Sequence, residues 1–73
     1  DVLHIELYAS QSQNNTIKVI DMSGRLVKQL QVSSVSGVNN LELNLTDVAS
    51  GLYTLEVYVN NHMMHVSRIR KSN

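Results

Sequence analysis

The stretch Thr16 to Val32, TIKVIDMSGRLVKQLQV, leaves few folds open to this chain. Ile17 and Val19 alternate with Lys18 and Ile20 on the way in. Leu26, Lys28, Leu30 and Val32 alternate with Val27, Gln29 and Gln31 on the way out. A period of two marks a strand with two unlike faces. Between the arms lies Asp21-Met22-Ser23-Gly24. Asp at the first corner of a type I turn accepts backbone N–H bonds two residues on. Gly24 suits the following position, where φ is positive and a Cβ would clash. The stretch therefore predicts a β-hairpin, and the rest of the chain must supply the surface on which it packs.

Size limits that surface. The chain has 73 residues, and a domain of that length buries only about 60% of the surface its unfolded chain exposes. Cys, Pro, Phe and Trp are absent, so the core must come from Leu, Val, Ile, Met and three Tyr, with no disulfide to reinforce it. Six basic and six acidic residues give a formal net charge of zero. That argues against a nucleic-acid binder relying on a general positive field. No apolar run approaches the roughly 20 residues of a membrane-spanning helix. The chain opens at Asp1, without Met or a signal peptide, and directly enters a strand-like run. We expect a single domain over residues 1–73, cut from a longer secreted protein.

The remaining segments follow the same period. Val2 to Tyr8 sets Leu3, Ile5 and Leu7 against Val2, His4, Glu6 and Tyr8. Ala9 to Asn15 reads as a polar loop. Ser33 to Asn40 reads as a second connection, with Gly37 and a tight Asn39-Asn40 pair. Leu41, Leu43 and Leu45 alternate with Glu42 and Asn44. In Thr46 to Gly51 one helical turn is predicted, capped by Thr46 or Asp47 and closed by Gly51 in the left-handed region. Leu52 to Val59 alternates again, Asn60-Asn61 suits a two-residue hairpin turn, and His62 to Arg70 is the return strand. About six strands and no independent helix predict an all-β fold, a compact antiparallel sandwich.

Signs of chemistry are sparse. His62 and His65 flank Met63 and Met64, but residues three apart on a regular strand face opposite ways, and no Cys or acid nearby completes a ligand set. They read as ordinary strand residues, and His4 as an exposed one. Among the acids, Asp1 has no evident partner. Asp21 and Asp47 are explained by turn and cap roles, and Glu6, Glu42 and Glu56 by the polar sides of strands. A sandwich this small is expected to have little room for a catalytic pocket, and no nucleophile elbow is present. No enzyme activity, metal or cofactor is expected. Asn14-Asn15-Thr16 and Asn44-Leu45-Thr46 match the glycosylation pattern, which arises readily by chance in an Asn-rich β domain. Three of the six basic residues, Arg68, Arg70 and Lys71, fall within four positions, with no acid after Glu56. Such a run either solubilises an edge strand or forms a terminal recognition patch.

Three landmarks occur in order: Ile17 to Val27 (IKVIDMSGRLV), Leu45 to Tyr53 (LTDVASGLY), and the ending Ser67-Arg68-Ile69-Arg70-Lys71. Together they resemble the type A C-terminal sorting domain of the type IX secretion system of the Bacteroidetes. In that family a D-x-x-G-R/K hairpin, a G-x-Y element and a short basic–aliphatic ending recur. Ile20 stands where the family often has Tyr, and Val48 where it often has Leu. The Pro-Asn-Pro entry motif is absent, and Ser72 and Asn73 extend beyond the basic run. The resemblance implies a small Ig-like antiparallel β-sandwich of about six to seven strands that serves as an address. It implies folding in the periplasm, recognition by the outer-membrane translocon, and often removal by a sortase-like peptidase as an N-terminal cargo domain reaches the cell surface or the medium. It implies a terminal signal in Arg68, Ile69, Arg70 and Lys71, with Asp21, Gly24, Gly51 and Tyr53 as shape-defining residues. An edge strand also leaves room for a dimer. The competing reading is a structural or carbohydrate-binding accessory domain of a secreted enzyme. It would gain weight if Tyr8 and Tyr58 lay side by side on an open face.

Overall fold

The computed structural model describes residues 2–72. Asp1, weighed above among the acids, and Asn73, beyond the basic run, lie outside the described residues. Six strands follow in order: β1 (Val2–Ala9), β2 (Gln13–Asp21), β3 (Leu26–Ser34), β4 (Gly37–Asn44), β5 (Gly51–Val59) and β6 (His62–Lys71). All pairings are antiparallel. β1 and β4 form one sheet, and the other has the order β3-β2-β5-β6. The expected all-β sandwich is what the chain forms.

The inward set follows from the alternation. Ile17 and Val19 of β2 are fully buried, and Tyr53, Leu55 and Val57 continue that face on β5. Leu43 of β4 and Leu45 and Val48 of the connection after it close the core from the other side, with Leu3, Ile5 and Leu7 packed at its margin. Burying each large aliphatic side chain fully contributes about 1.5–3 kcal/mol, and a chain without Phe or Trp has few other sources of stability.

The β2–β3 turn forms as expected. Gly24 has φ 91° and its N–H donates to the Asp21 carbonyl at 3.0 Å. Asp21 Oδ1 accepts from the Ser23 N–H (3.0 Å), the Ser23 hydroxyl (2.7 Å) and the Arg25 N–H (2.9 Å). These bonds, the Ser23 hydroxyl first, hold the Asp21 carboxyl below the usual carboxylate range. The register shifts between Val19 and Ile20, where Ile20 pairs with Leu26 and Val27 is left over. This bulge turns Val27 toward the core and leaves Leu26 exposed, reversing the simple alternation of β3 at its start.

Both polar connections prove shorter than expected. Only residues 10–12 separate β1 from β2, and Gln13 to Asn15 belong to the strand. Asn15 keeps the inward parity of Ile17 and is buried. Its amide donates to the Val32 carbonyl and the Ser34 hydroxyl and accepts from Gln13, which satisfies it. Likewise only residues 35 and 36 separate β3 from β4, and Asn39 and Asn40 are strand residues. The Asn39 side chain bridges back to the backbone of Val35 and Leu7.

The turn after β4 also differs in detail. Val48 N–H donates to the Leu45 carbonyl, closing a single turn. Asn44 Oδ1 accepts from the Thr46 N–H at the start of this turn. Asp47 pairs with Lys28 at 2.9 Å, and that ammonium lowers its pKa. Gly51 does not close the turn in the left-handed helical region. It opens β5 at φ 152°, where a Cβ would stand 3.8 Å from the Tyr53 ring. The β5–β6 turn is as expected, with Asn60 and Asn61 at φ 49° and 70°.

Candidate recognition site

The terminal strand is built on β5. Gly51 pairs with Lys71, Leu52 with Arg70, Tyr53 with Ile69 and Thr54 with Arg68. Among the described residues its other edge has no strand beside it, because β6 is last in the order of its sheet. Partners across an antiparallel pair point to the same side. Since Tyr53 is buried, Ile69 and Lys71 face inward and Arg68 and Arg70 face outward. The four residues expected to act as one signal therefore divide into two pairs by the period of the strand.

Arg68 and Arg70 are exposed and share the outer face, with their Cα atoms about 7 Å apart by strand geometry. Ile69 is half-buried and packs against the core cluster. Lys71 is only 7% exposed. Its Nζ donates to the carbonyls of Leu45 (2.7 Å), Val48 (2.5 Å) and Thr46 (3.4 Å), all in the turn after β4. A lysine in a basic run reads as surface. The signal that finds it is parity: it lies two residues past Ile69.

Tyr53 anchors the same corner. It is buried, and its hydroxyl donates to the Ala49 carbonyl at 2.5 Å. A strand Tyr that bonds the backbone a few residues upstream is the tyrosine corner found in Ig-type sandwiches. Gly51 and Tyr53 thus position the connection between the sheets, while Asp21, paired with Tyr53, and Gly24 shape the neighbouring β2–β3 turn.

The upstream half of β6 is less regular. The register shifts between Val57 and Tyr58, so His65 lies opposite Val57, Met63 opposite Tyr58 and His62 opposite Val59. The bulge corrects the expectation that the two histidines lie on opposite faces. Val57 and Val59 share one face, and so do their partners. Among the described residues no group of three or more His, Cys, Asp or Glu is placed to hold a metal ion. Met63, Met64 and Val66 are exposed along this half.

The two-stranded sheet covers the four-stranded one incompletely. A cleft of about 760 Å³ opens between β1 and the β5–β6 hairpin, with Ile5, Leu7, Val57, Val59, His65 and Ile69 among its walls. A two-over-four arrangement leaves the upstream half of β6 uncovered on its inner face, so there is more open space than the small size of the sandwich suggests. The walls are mostly aliphatic, and Asp21 and Asp47 lie outside them, tied to Arg25 and Lys28. Glu6 lies along the rim on the β1 side, while Glu56 projects from the outer face of the other sheet. Tyr8 projects from the outer face of β1 and Tyr58 from the outer face of β5, on opposite sides of the sandwich. The Tyr58 hydroxyl bonds Glu56, which raises its pKa, and Lys18 sits 4.6 Å over its ring. His4 meets Glu42 across β1–β4 at 3.5 Å, both exposed.

Comparison with protein families gives a match to the model described as the secretion system C-terminal sorting domain, over residues 1–71. No curated protein and no solved structure matches the chain.

Proposed function

This chain belongs to the secretion system C-terminal sorting domain family, and from that premise we propose that it folds in the periplasm and presents β6 to the outer-membrane translocon. Membership makes it a C-terminal sorting signal of the type IX system, attached to an N-terminal cargo and directed toward the cell surface or the extracellular space. The observation that supports the finer reading is the outward pair Arg68 and Arg70 on a strand with one unpaired edge. Unpaired N–H and C=O groups accept a partner strand, and side chains beside them set its choice. Two guanidinium forks favour a carboxylate-bearing surface. Pairing two copies through β6 would gather four guanidinium groups at one seam with no acid on either strand. The edge is thus better matched to an acidic receptor than to a second copy. A sortase-like peptidase then separates the domain from its cargo.

In this reading the domain is not an enzyme. Its acids are engaged in turns or spread over opposite faces, and the cleft walls are mainly aliphatic. The carbohydrate-binding alternative would have gained weight from Tyr8 and Tyr58 side by side on an open face, and they face opposite ways.

The test fuses the chain to an exported reporter in a bacterium with a type IX system. The intact fusion should reach the surface or the medium, and Arg68→Glu/Arg70→Glu should hold it in the periplasm while the domain remains folded. Unchanged display of the charge-reversed fusion would remove Arg68 and Arg70 from the recognition surface.

A further inference from the structure

We propose that Lys71 is an internal latch that holds the terminal strand in register, and not a residue read by the receptor. This inference rests on β6 being the signal. It assigns that strand a dependence on another part of the fold.

The geometry is specific. The Lys71 ammonium is enclosed, and it donates to the carbonyls of Leu45, Thr46 and Val48, which all belong to the connection leaving β4. That connection carries the chain from the two-stranded sheet to the four-stranded one. Lys71 itself pairs with Gly51, at the connection's far end. The last residue of β6 therefore grips the only stretch of chain joining β4 to β5. Lys28, on the opposite edge strand β3, holds the same turn through Asp47. Two lysines fix one turn from the two edges of a sheet.

The chemistry suits an ammonium. It has three donors in a tetrahedral array and no acceptor, and three carbonyls converge on it. A buried cation is tolerated only with such partners. To offer Lys71 to a receptor, the domain would have to break these bonds, leaving the Leu45 carbonyl with the Val48 N–H and taking the ammonium from those of Thr46 and Val48. Conversely, β6 can reach its end register only after the 45–48 turn has formed. Arg68, Ile69 and Arg70 are then displayed as a strand by a folded domain and not by an unfolded one. The signal reports that folding is complete.

The test measures two quantities on each variant: amide hydrogen exchange in the 73-residue chain, and surface display of the reporter fusion. Lys71→Met should raise exchange at least tenfold at residues 45–48 and 69–71, and display should fall with it. Lys71→Gln removes the charge but retains two donors. It should keep exchange within tenfold of the parent and keep most of the display, and this variant decides the matter if the Met variant does not fold. Arg68→Ala/Arg70→Ala should reduce display with exchange unchanged. If Lys71→Gln loses display while exchange stays at the parent level, the charge is being read directly and the latch is overturned. Unchanged exchange in Lys71→Met overturns it as well. If the Arg variants display normally while Lys71→Met still opens both segments, the receptor reading fails and the latch stands.

Discussion

Replacing Tyr53 by Phe isolates one bond at the corner of the sandwich. The ring is buried against Leu55-side core residues and stays in place, while the hydroxyl that donates to the Ala49 carbonyl is removed. A neutral intramolecular hydrogen bond contributes about 0.5–1.5 kcal/mol net. Ala49 is exposed, so water can reach its carbonyl and no lasting unpaired acceptor remains. The expected loss is therefore about 1 kcal/mol. Unfolding entropy of about 2.1 cal/mol/K per residue makes that a fall in Tm of roughly 6–7 °C for a chain this short. The assay is thermal unfolding followed by far-UV circular dichroism, with urea melts on the same samples. The m-value should be unchanged, because the surface exposed on unfolding is the same. A Tm within 1 °C of the parent would refute the reasoning, showing that the hydroxyl is satisfied equally well by solvent and that the corner is held by ring packing alone.

Two further outcomes follow from the β2–β3 turn. Gly24→Val should cost about 1–2 kcal/mol, because the residue sits at φ 91°, where a β-branched side chain is strained although no neighbour blocks it; equal urea midpoints for the two proteins would contradict this. Asp21 has its folded-state pKa lowered by the Ser23 hydroxyl and the Arg25 N–H, so its contribution is complete above the unfolded value near 3.8 and is lost as pH falls through the folded one. Stability should decline on acidification below about pH 4, and Asp21→Asn should flatten that decline; an identical pH profile in the variant would show that the carboxylate bonds contribute nothing.

Much of this architecture was legible from alternation and turn chemistry. The inward positions of Ile17, Val19, Leu43, Leu55 and Val57 follow from period two, and the positive φ values of Gly24, Asn60 and Asn61 follow from residue type. Strand ends were harder to read. Gln13, Asn15, Ser34 and Asn39 look like loop residues, yet their backbones pair and their side chains find partners inside the sandwich. The bulges at Val27 and near Met64 were invisible because each adds one residue without a distinctive composition. For the candidate site, the basic run located the strand but not the division within it. Charge counts Arg68, Arg70 and Lys71 alike, whereas the pleat sends Lys71 to the turn after β4 and the arginines to solvent.

The pairing pattern also has a kinetic consequence. Two pairings, β2–β3 and the part of β5–β6 next to the Asn60-Asn61 turn, are local and can form early. The others are remote: β1 meets β4 with Val2 opposite Asn44, and β2 meets β5 with Asn15 opposite Val59. Closing such loops before their contacts can offset the lost entropy slows folding, and sandwiches dominated by remote pairings fold in about milliseconds to seconds. The sorting domain therefore passes through an interval in which the local pairings exist while the sheets are not yet joined and the end of β6 is not yet held by Lys71. It becomes one rigid body only once β1 has met β4 and β2 has met β5.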